Sequence, residues 1–102
     1  MIDKYILDGH NPVPCDDPVE WATWLQAADR TVAKTETPDG TIVSTVFLGL
    51  DHRLIDNGKP LLFETLIFGG HLDGEQWRCS TWEEAEAQHE SAVMAAQKEE
   101  GK

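Results

Sequence analysis

Residues 30–50 read RTVAKTETPDGTIVSTVFLGL, and this stretch decides the fold. It is rich in Thr, Val and Ile, which favour strands, and a Pro-Asp-Gly turn signal interrupts it at 38–40. The pattern predicts a β-hairpin with strands at 31–36 and 41–50. Alternation in the second strand puts two sets of side chains on opposite faces, which are Val43, Thr45 and Phe47 on one and Ile42, Val46, Leu48 and Leu50 on the other. We expect both faces to be largely covered.

Two further strands are predicted after this hairpin. The run LLFETLIF at 61–68 follows the turn residues DNGKP at 56–60, and a short strand at 75–79 follows the turn dipeptide Asp73-Gly74. Strands that follow one another in sequence and are joined by turns usually pair with their neighbours. We therefore expect a sheet of about four strands in an antiparallel meander.

Amphipathic helices are predicted on both sides of the β-rich segment. Asp17 as N-cap, Pro18 at the first helical position and Glu20 in a capping box begin a helix over 18–28. A second helix over 82–98 follows Ser-Thr at 80–81, again with glutamates at capping-box spacing. The apolar stripes of the helices are Trp21, Trp24, Leu25 and Ala28 in the first and Trp82, Ala85, Ala92, Val93 and Ala96 in the second. Each stripe must be buried, and one face of the sheet can accommodate both helices.

These elements predict an α+β fold in one domain, residues 1–98, with an N-terminal and a C-terminal amphipathic helix packed on the sheet and a frayed tail at 99–102. A length of 102 residues is that of a single domain, and a hydrophobic content of 40% is enough for a packed core. The small residues of the second helix make its apolar face shallow. Such a face packs closely on a sheet or on a second copy of the helix, so a homodimer is an open alternative.

The charge of the chain is unusual. Nineteen acidic residues against eight Lys and Arg give a formal net charge of -11. Because nucleic-acid affinity comes largely from cations that neutralise phosphates, direct nucleic-acid binding is not expected. A protein with a basic surface is the natural electrostatic partner. The alternative is that the acidic surface only keeps a small protein soluble.

The N-terminus and the cysteines indicate a reducing, non-membrane location. The segment MIDKYILDGH lacks the apolar core of a signal peptide, and no apolar run has the length of about 18 residues that a membrane helix needs. Cys15 and Cys79 form no CxxC pair and no zinc pattern. They could form one disulfide, but reduced, buried thiols in the cytoplasm are favoured. Arg78 beside Cys79 is expected to lower the pKa of that thiol slightly.

Acid–imidazole neighbours are the one hint of catalysis. If the loops met, His10, His52 and His71 with Asp51 or Asp73 could ligate a metal or supply acid–base groups. Their spacing matches no ligand motif, and neighbours on an extended segment point to opposite faces. Solvated turn residues are therefore favoured.

No other pattern in the sequence indicates a catalytic site. His89 lies on the apolar face of the second helix, where we expect a neutral imidazole satisfied by a backbone carbonyl. The glycines at 69–70 lack the Lys-Ser or Lys-Thr pair and the helix of a phosphate loop, and no HExxH motif or nucleophile elbow occurs. We expect a protein that is not an enzyme and has no metal or cofactor.

Three segments carry a resemblance to a known group of proteins. The runs YILDGHNPVPCDD at 5–17, STVFLGLDHRL at 44–54 and LLFETLIFGGHLDGEQWRCSTWEEAEAQH at 61–89 resemble a family of small uncharacterised proteins encoded by bacteriophages and prophages. The resemblance implies no activity and no site residue. It implies a context, because small acidic phage proteins are often inhibitors of host machinery, including anti-CRISPR proteins and other anti-defence factors, and act in the host bacterial cytoplasm.

Charge and resemblance together predict a small acidic binding protein that inhibits a host protein by occupying its basic surface. The candidate partner-binding residues are Asp16, Asp17, Glu20, Glu83, Glu84, Glu86 and Glu90. One alternative is a sponge that sequesters a nucleotide immune signal through Arg53, Lys59, Trp77 and Arg78, with the amides of the Gly69-Gly70 turn as further phosphate donors. A second alternative is a metal-dependent enzyme that uses the His/Asp turns.

Overall fold

The computed structural model describes residues 3–53 and 58–98. The elements in chain order are β1 (Tyr5–Asp8), β2 (Asn11–Pro14), α1 (Pro18–Ala27), β3 (Thr31–Glu36), β4 (Ile42–Phe47), β5 (Phe63–Phe68), β6 (Gln76–Cys79) and α2 (Trp82–Gln97). The predicted tail at 99–102 and the start of the predicted turn at 56–60 lie outside the described residues. The α+β class with two helices is confirmed.

The main sheet has four antiparallel strands in the order β3-β4-β5-β6. Each strand pairs with the strand that follows it in sequence, as the turn signals predict. Gly40, in the turn between β3 and β4, has a φ of 89°, a conformation that suits glycine. In the register of β4 and β5, Thr45 lies opposite Thr65 and Phe47 opposite Phe63.

The core lies between α2 and one face of the sheet. Val43 and Ile67 pack with Ala92 and Ala96 of α2, and a second cluster joins Phe47, Leu62 and Phe63 to Ala85. The small alanines let the helix approach the strands closely, so the bulky side chains of β4 and β5 fill the space between the two layers.

The other face of the sheet is less completely buried than the face that packs on α2. Ile42, Val46 and Leu66 are half-buried there, and Phe68 is 50% exposed. The molecule measures 49 × 31 × 20 Å, and its radius of gyration of 14.9 Å exceeds the value of about 13 Å typical of this length. A thin, extended shape follows from a sheet with a helix on one face.

Helix α1 begins as predicted but packs differently. Asp17 is its N-cap, whereas Glu20 closes no capping box among the described hydrogen bonds. No residue of α1 is buried, and the helix packs mainly on β1 instead of lying beside α2 across the sheet. It contacts the sheet through Trp24, whose ring meets Phe47 edge-on at 5.8 Å between centroids, and through Trp21, whose indole N–H donates to the carbonyl of Gly49.

An additional hairpin, β1 with β2, closes one end of the molecule. Its strands pair antiparallel from Tyr5 with Pro14 to Asp8 with Asn11. The backbone N–H of Tyr5 donates to the carbonyl of Gly49 at 2.8 Å, which ties the hairpin to the end of β4. At the other end of the hairpin, His10 stacks on Trp82 with 3.7 Å between ring centroids. The hairpin thus joins α1 to the start of α2.

Candidate functional site

Helix α2 presents different chemistry on its separate sides. Ala85, His89, Ala92 and Ala96 are buried against the sheet. Gln88, Ser91 and Ala95 line a groove shared with Trp77 of β6, so this flank faces β6. Since successive residues are about 100° apart, Glu83, Glu86 and Glu90 lie on the solvent side away from β6.

These three glutamates form what we call the acidic stripe. All three are exposed, and Glu83 and Glu90 are separated by about 10 Å along the helix axis. Residues 80–97 contain no Lys or Arg, so no cation within the helix neutralises the stripe. The arrangement can bind a row of cations or a basic surface.

Glu84 is the fourth acidic residue of α2 among the predicted partner-binding residues, and it caps the start of the helix. Its carboxylate accepts hydrogen bonds from the backbone N–H groups of Ser80 and Thr81, each at 3.1 Å. Thr81 Oγ1 in turn accepts from the Glu84 N–H at 3.1 Å, so the predicted capping box is confirmed. The N–H of Ser80 is the main cause that lowers the pKa of Glu84. This carboxylate stabilises α2 and is less available to a partner.

The acidic residues around the start of α1 also differ in role, since one caps the helix and two are exposed. The Asp17 carboxylate accepts from the N–H groups of Val19 and Glu20 at 3.0 and 3.3 Å. Asp16 and Glu20 are exposed. They belong to an element that packs on the hairpin, so they are a second acidic group distinct from the acidic stripe.

The inner side of α2 holds a buried polar network. His89 Nε2 bonds Thr35 Oγ1 at 2.8 Å, and His89 Nδ1 bonds Thr45 Oγ1 at 2.8 Å. Thr45 Oγ1 also bonds Thr65 Oγ1 at 2.7 Å. The expectation of a backbone carbonyl partner for His89 is therefore wrong. A neutral imidazole has one donor and one acceptor, which two hydroxyl groups can satisfy. The network is enclosed by the core and links α2 to three strands.

Burial lowers the pKa of His89, and this shift makes stability depend on pH. Because the folded pKa lies below the unfolded value, the contribution is complete above about pH 6.5 and is lost as the pH falls. We expect unfolding free energy to fall between about pH 7 and pH 5 with a slope of up to about 1.4 kcal/mol per pH unit. Urea unfolding across this range measures the slope.

The matched variants are His89→Gln, which removes the buried imidazole, and His71→Gln, which removes an exposed one. The slope should vanish in the first and persist in the second. If the unfolding free energy of His89→Gln still falls with pH in this range, groups other than His89 cause the pH dependence. Carboxylates contribute mainly below about pH 5, outside the range compared.

The three histidines of the predicted turns do not converge. His10 contacts Trp82 at the start of α2, whereas His71 lines a pocket with Ala96 and Gln97 at its end. The sixteen residues of α2 span about 24 Å, which separates these rings far beyond a shared metal ion. Among residues 3–53 and 58–98, no group of three or more His, Cys, Asp or Glu side chains could hold a metal.

The residues of the alternative nucleotide site are also dispersed. Trp77 lies opposite Thr65 and faces α2, whereas its neighbour Arg78 lies opposite Glu64 on the other face of the sheet. Arg78 Nη2 pairs with Glu64 Oε2 at 3.0 Å.

The remaining groups of that alternative are occupied or exposed elsewhere. Arg53 Nε pairs with Asp51 Oδ2 at 2.7 Å in the segment after β4, and Lys59 is exposed. The N–H of Gly69 donates to Asp73 Oδ1 at 2.6 Å, so this amide is already used within the turn.

Both cysteines are free thiols, with Cys15 buried and Cys79 half-buried. Burial and then the charge of Glu84 raise the pKa of Cys79 to about 11. The expected lowering by Arg78 is wrong, since its guanidinium lies on the opposite face of β6. The Cys79 thiol is therefore protonated at neutral pH and a poor nucleophile.

No protein-family model, curated protein or solved structure matches the chain. Within the described residues, no helix is both long enough and apolar enough to cross a membrane.

Proposed function

We propose that this chain is a small acidic binding protein of phage type that inhibits a host protein without catalysis. It acts in the cytoplasm of the host bacterium, as an anti-CRISPR or another anti-defence factor. The acidic stripe occupies a basic surface that the target uses to bind nucleic acid. The observation that carries the proposal is the row of exposed glutamates on a helix without a single Lys or Arg.

The rigidity of α2 supports this proposal. The helix is capped at Thr81 and packed on the sheet along its length through the two core clusters. The backbone positions of its glutamates are therefore fixed before binding, so little backbone order is lost on association. A surface that is pre-formed in this way can mimic the regular charges of a nucleic-acid backbone.

The charge of the whole chain favours encounter with such a target. A net charge of -11 attracts a basic protein at long range and raises the association rate. Asp16 and Glu20, exposed before and within α1, extend the acidic surface in this proposal. The attraction falls with salt, since the screening length is about 10 Å at 0.1 M and shorter above it.

The test compares two triple variants of equal charge. E83Q/E86Q/E90Q removes the acidic stripe, and D8N/E36Q/E75Q removes three exposed carboxylates elsewhere. The immobilised protein is used to capture a target from a bacterial lysate, and the affinity for that target is then measured. We expect the stripe variant to lose about tenfold or more in affinity and the control variant to lose much less.

Two outcomes would contradict the proposal. An equal loss in both variants would assign binding to net charge instead of the acidic stripe. Unchanged affinity in the stripe variant would show that the acidic stripe is not part of the interface. A complex indifferent to salt would show that charge attraction does not hold it together.

A further inference from the structure

Three turns of the described chain contain an aspartate that is followed by a glycine. In such a pair the glycine nitrogen can attack the side-chain carboxyl carbon of the aspartate, because glycine has no side chain to hinder the five-membered ring that forms. All three pairs are exposed, and each glycine has a positive φ and open space where a Cβ would stand. The pairs are Asp8-Gly9 between β1 and β2, Asp39-Gly40 between β3 and β4, and Asp73-Gly74 between β5 and β6. Since their steric surroundings are alike, hydrogen bonding decides which pair is free to react.

The turn between β3 and β4 holds both reacting groups of its pair. Asp39 Oδ1 accepts hydrogen bonds from the hydroxyl of Thr37 and from the N–H of Thr41, the latter at 3.1 Å. The N–H of Gly40 donates to the carbonyl of Thr37 at 2.9 Å. Attack by the Gly40 nitrogen therefore requires that these bonds break first.

The turn between β5 and β6 holds its pair in a similar way. Asp73 Oδ1 accepts from the N–H of Gly69 at 2.6 Å. The N–H of Gly74 donates to the carbonyl of Ile67 at 2.8 Å, which ties the glycine nitrogen to the end of β5. Both reacting groups of this pair are therefore occupied as well.

The pair Asp8-Gly9 lacks such bonds. Among the described residues, none donates a hydrogen bond to the Asp8 carboxylate and none accepts one from the N–H of Gly9. The turn closes a hairpin of only two strands, and such hairpins are marginally stable on their own. Local opening that brings the Gly9 nitrogen to the Asp8 side chain therefore breaks no hydrogen bond of either reacting group.

We propose that Asp8-Gly9 is a site of spontaneous backbone isomerisation. The nitrogen of Gly9 bonds to Cγ of the protonated Asp8 carboxyl group, and the N–H proton leaves with the carboxyl hydroxyl as water. The product is a cyclic imide. Water then adds to one of its two carbonyl carbons and breaks the bond from that carbon to nitrogen. Addition at Cγ restores aspartate, whereas addition at the main-chain carbon gives isoaspartate. The water lost in the first step is regained in the second, so no other reactant is needed.

The isomer disrupts the end of the hairpin. The N–H of Cys15 donates to the carbonyl of Lys4 at 2.8 Å, so these residues form a hydrogen-bonded pair of the hairpin. Such pairs alternate along an antiparallel ladder, which makes Asp8 and Asn11 the hydrogen-bonded pair next to the turn. In isoaspartate the chain runs through Cβ and Cγ of residue 8, and a free carboxylate replaces the main-chain carbonyl that Asn11 bonds. The pair that closes the hairpin is therefore lost.

The loss extends to the start of α2. His10 lies in the same turn as Gly9 and stacks on Trp82 with 3.7 Å between ring centroids. A turn that is one backbone atom longer no longer holds the imidazole over the indole. We expect the isomer to be less stable than the parent chain. The acidic stripe takes no part in this chemistry, so the inference does not rest on the proposed function.

Peptide mapping of the incubated full chain tests the site. Electron-transfer fragmentation distinguishes isoaspartate from aspartate, and the rates at residues 8, 39 and 73 are compared in buffer and in urea that unfolds the chain. In buffer, isoaspartate should form at Asp8 about tenfold or more faster than at Asp39 or Asp73, because the hydrogen bonds of those pairs must break first. In urea the three rates should converge. Deamidation at Asn57-Gly58 changes the mass, whereas isomerisation does not, so the two reactions are read separately.

Two results of the mapping would overturn the proposal. A rate at Asp8 in buffer that does not exceed the rates at Asp39 and Asp73 would show that the free groups of its turn do not favour the reaction. An excess at Asp8 that persists unchanged in urea would assign it to the neighbouring sequence instead of the fold.

The consequence for the hairpin is tested with a matched pair of variants. Asp8→Glu keeps the charge but would have to form a six-membered ring, so it should not isomerise. Asp3→Glu makes the same change at an exposed residue that is followed by Lys4. After incubation, the wild type and Asp3→Glu should contain a second species that unfolds at lower urea, and Asp8→Glu should not. An isolated isoaspartate form as stable as the parent chain would contradict the loss of the hairpin end.

Discussion

Replacing Phe47 with Ala is expected to destabilise the domain by about 3–5 kcal/mol. Phe47 is 0% exposed at the end of β4, where three parts of the molecule meet. Its ring lies 5.2 Å from that of Phe63 and meets Trp24 of α1 edge-on. The substitution removes the ring contact of Trp24 with the sheet, while the hydrogen bond from Trp21 to Gly49 remains, and it leaves a cavity that this rigid core cannot fill by collapse.

Urea unfolding followed by circular dichroism measures this effect. Phe68→Ala is the matched control, because Phe68 belongs to the neighbouring strand and is 50% exposed. The control should lose less than about 1 kcal/mol. Since domains are stable by only about 5–15 kcal/mol, the Phe47 variant should be partly unfolded under mild conditions. Equal losses in the two variants would contradict the placement of the core on the α2 face.

Replacing Thr45 with Val is expected to cost about 1–3 kcal/mol, although the two side chains have similar shapes. The Thr45 hydroxyl bonds both His89 Nδ1 and Thr65 Oγ1, and all three residues are buried. Its removal leaves polar atoms of the imidazole and of Thr65 unsatisfied inside the core. An unmade buried hydrogen bond costs more than a made one contributes, so the loss should exceed that of an ordinary surface change.

Thr31→Val is the matched control for this variant. Thr31 is exposed at the start of β3, and the same substitution there should change stability by less than about 0.5 kcal/mol. Valine favours strands, so any gain in the control would have that origin. A Thr45 variant as stable as the wild type would show that His89 and Thr65 find other partners.

The sequence predicts those elements best whose local signals and packing agree. The strand at 31–36 and the start of the helix at residue 82 have the predicted bounds, because turn residues and a capping box mark their ends. The hairpin of β1 and β2 is not predictable in the same way, since Pro12 and Pro14 disfavour a strand. Prolines are tolerated there because the hairpin has only two strands, both of them edges.

The packing of α1 and the half-buried face of the sheet show what the sequence pattern does not predict. An apolar stripe such as that of Trp21 and Trp24 indicates that a helix is buried on one side, but not against which element. In the structure Trp21 Nε1 donates to the carbonyl of Gly49 at 3.0 Å, which fixes α1 at the end of the sheet. The alternation of side chains in β4 likewise shows that the strand has two faces, but it does not show whether another element packs on each face.

The candidate surfaces also differ in how much of them the sequence predicts. The spacing of Glu83, Glu86 and Glu90 on a helix is visible in the sequence, whereas the role of Glu84 depends on hydrogen bonds to Ser80 and Thr81. The groove beside β6 could not be predicted, because Trp77 meets α2 only through the register of the sheet. Contacts between residues that are distant in sequence can be identified only once the fold is known.

The most direct test of the proposed function uses the purified target. Its binding to nucleic acid is measured as increasing amounts of this chain are added, at about 0.05 M and about 0.3 M salt. If the acidic stripe occupies the nucleic-acid surface, the chain should displace the nucleic acid competitively, less strongly at higher salt, and E83Q/E86Q/E90Q should fail to displace it. A ternary complex in which target, nucleic acid and this chain remain bound together would contradict the account.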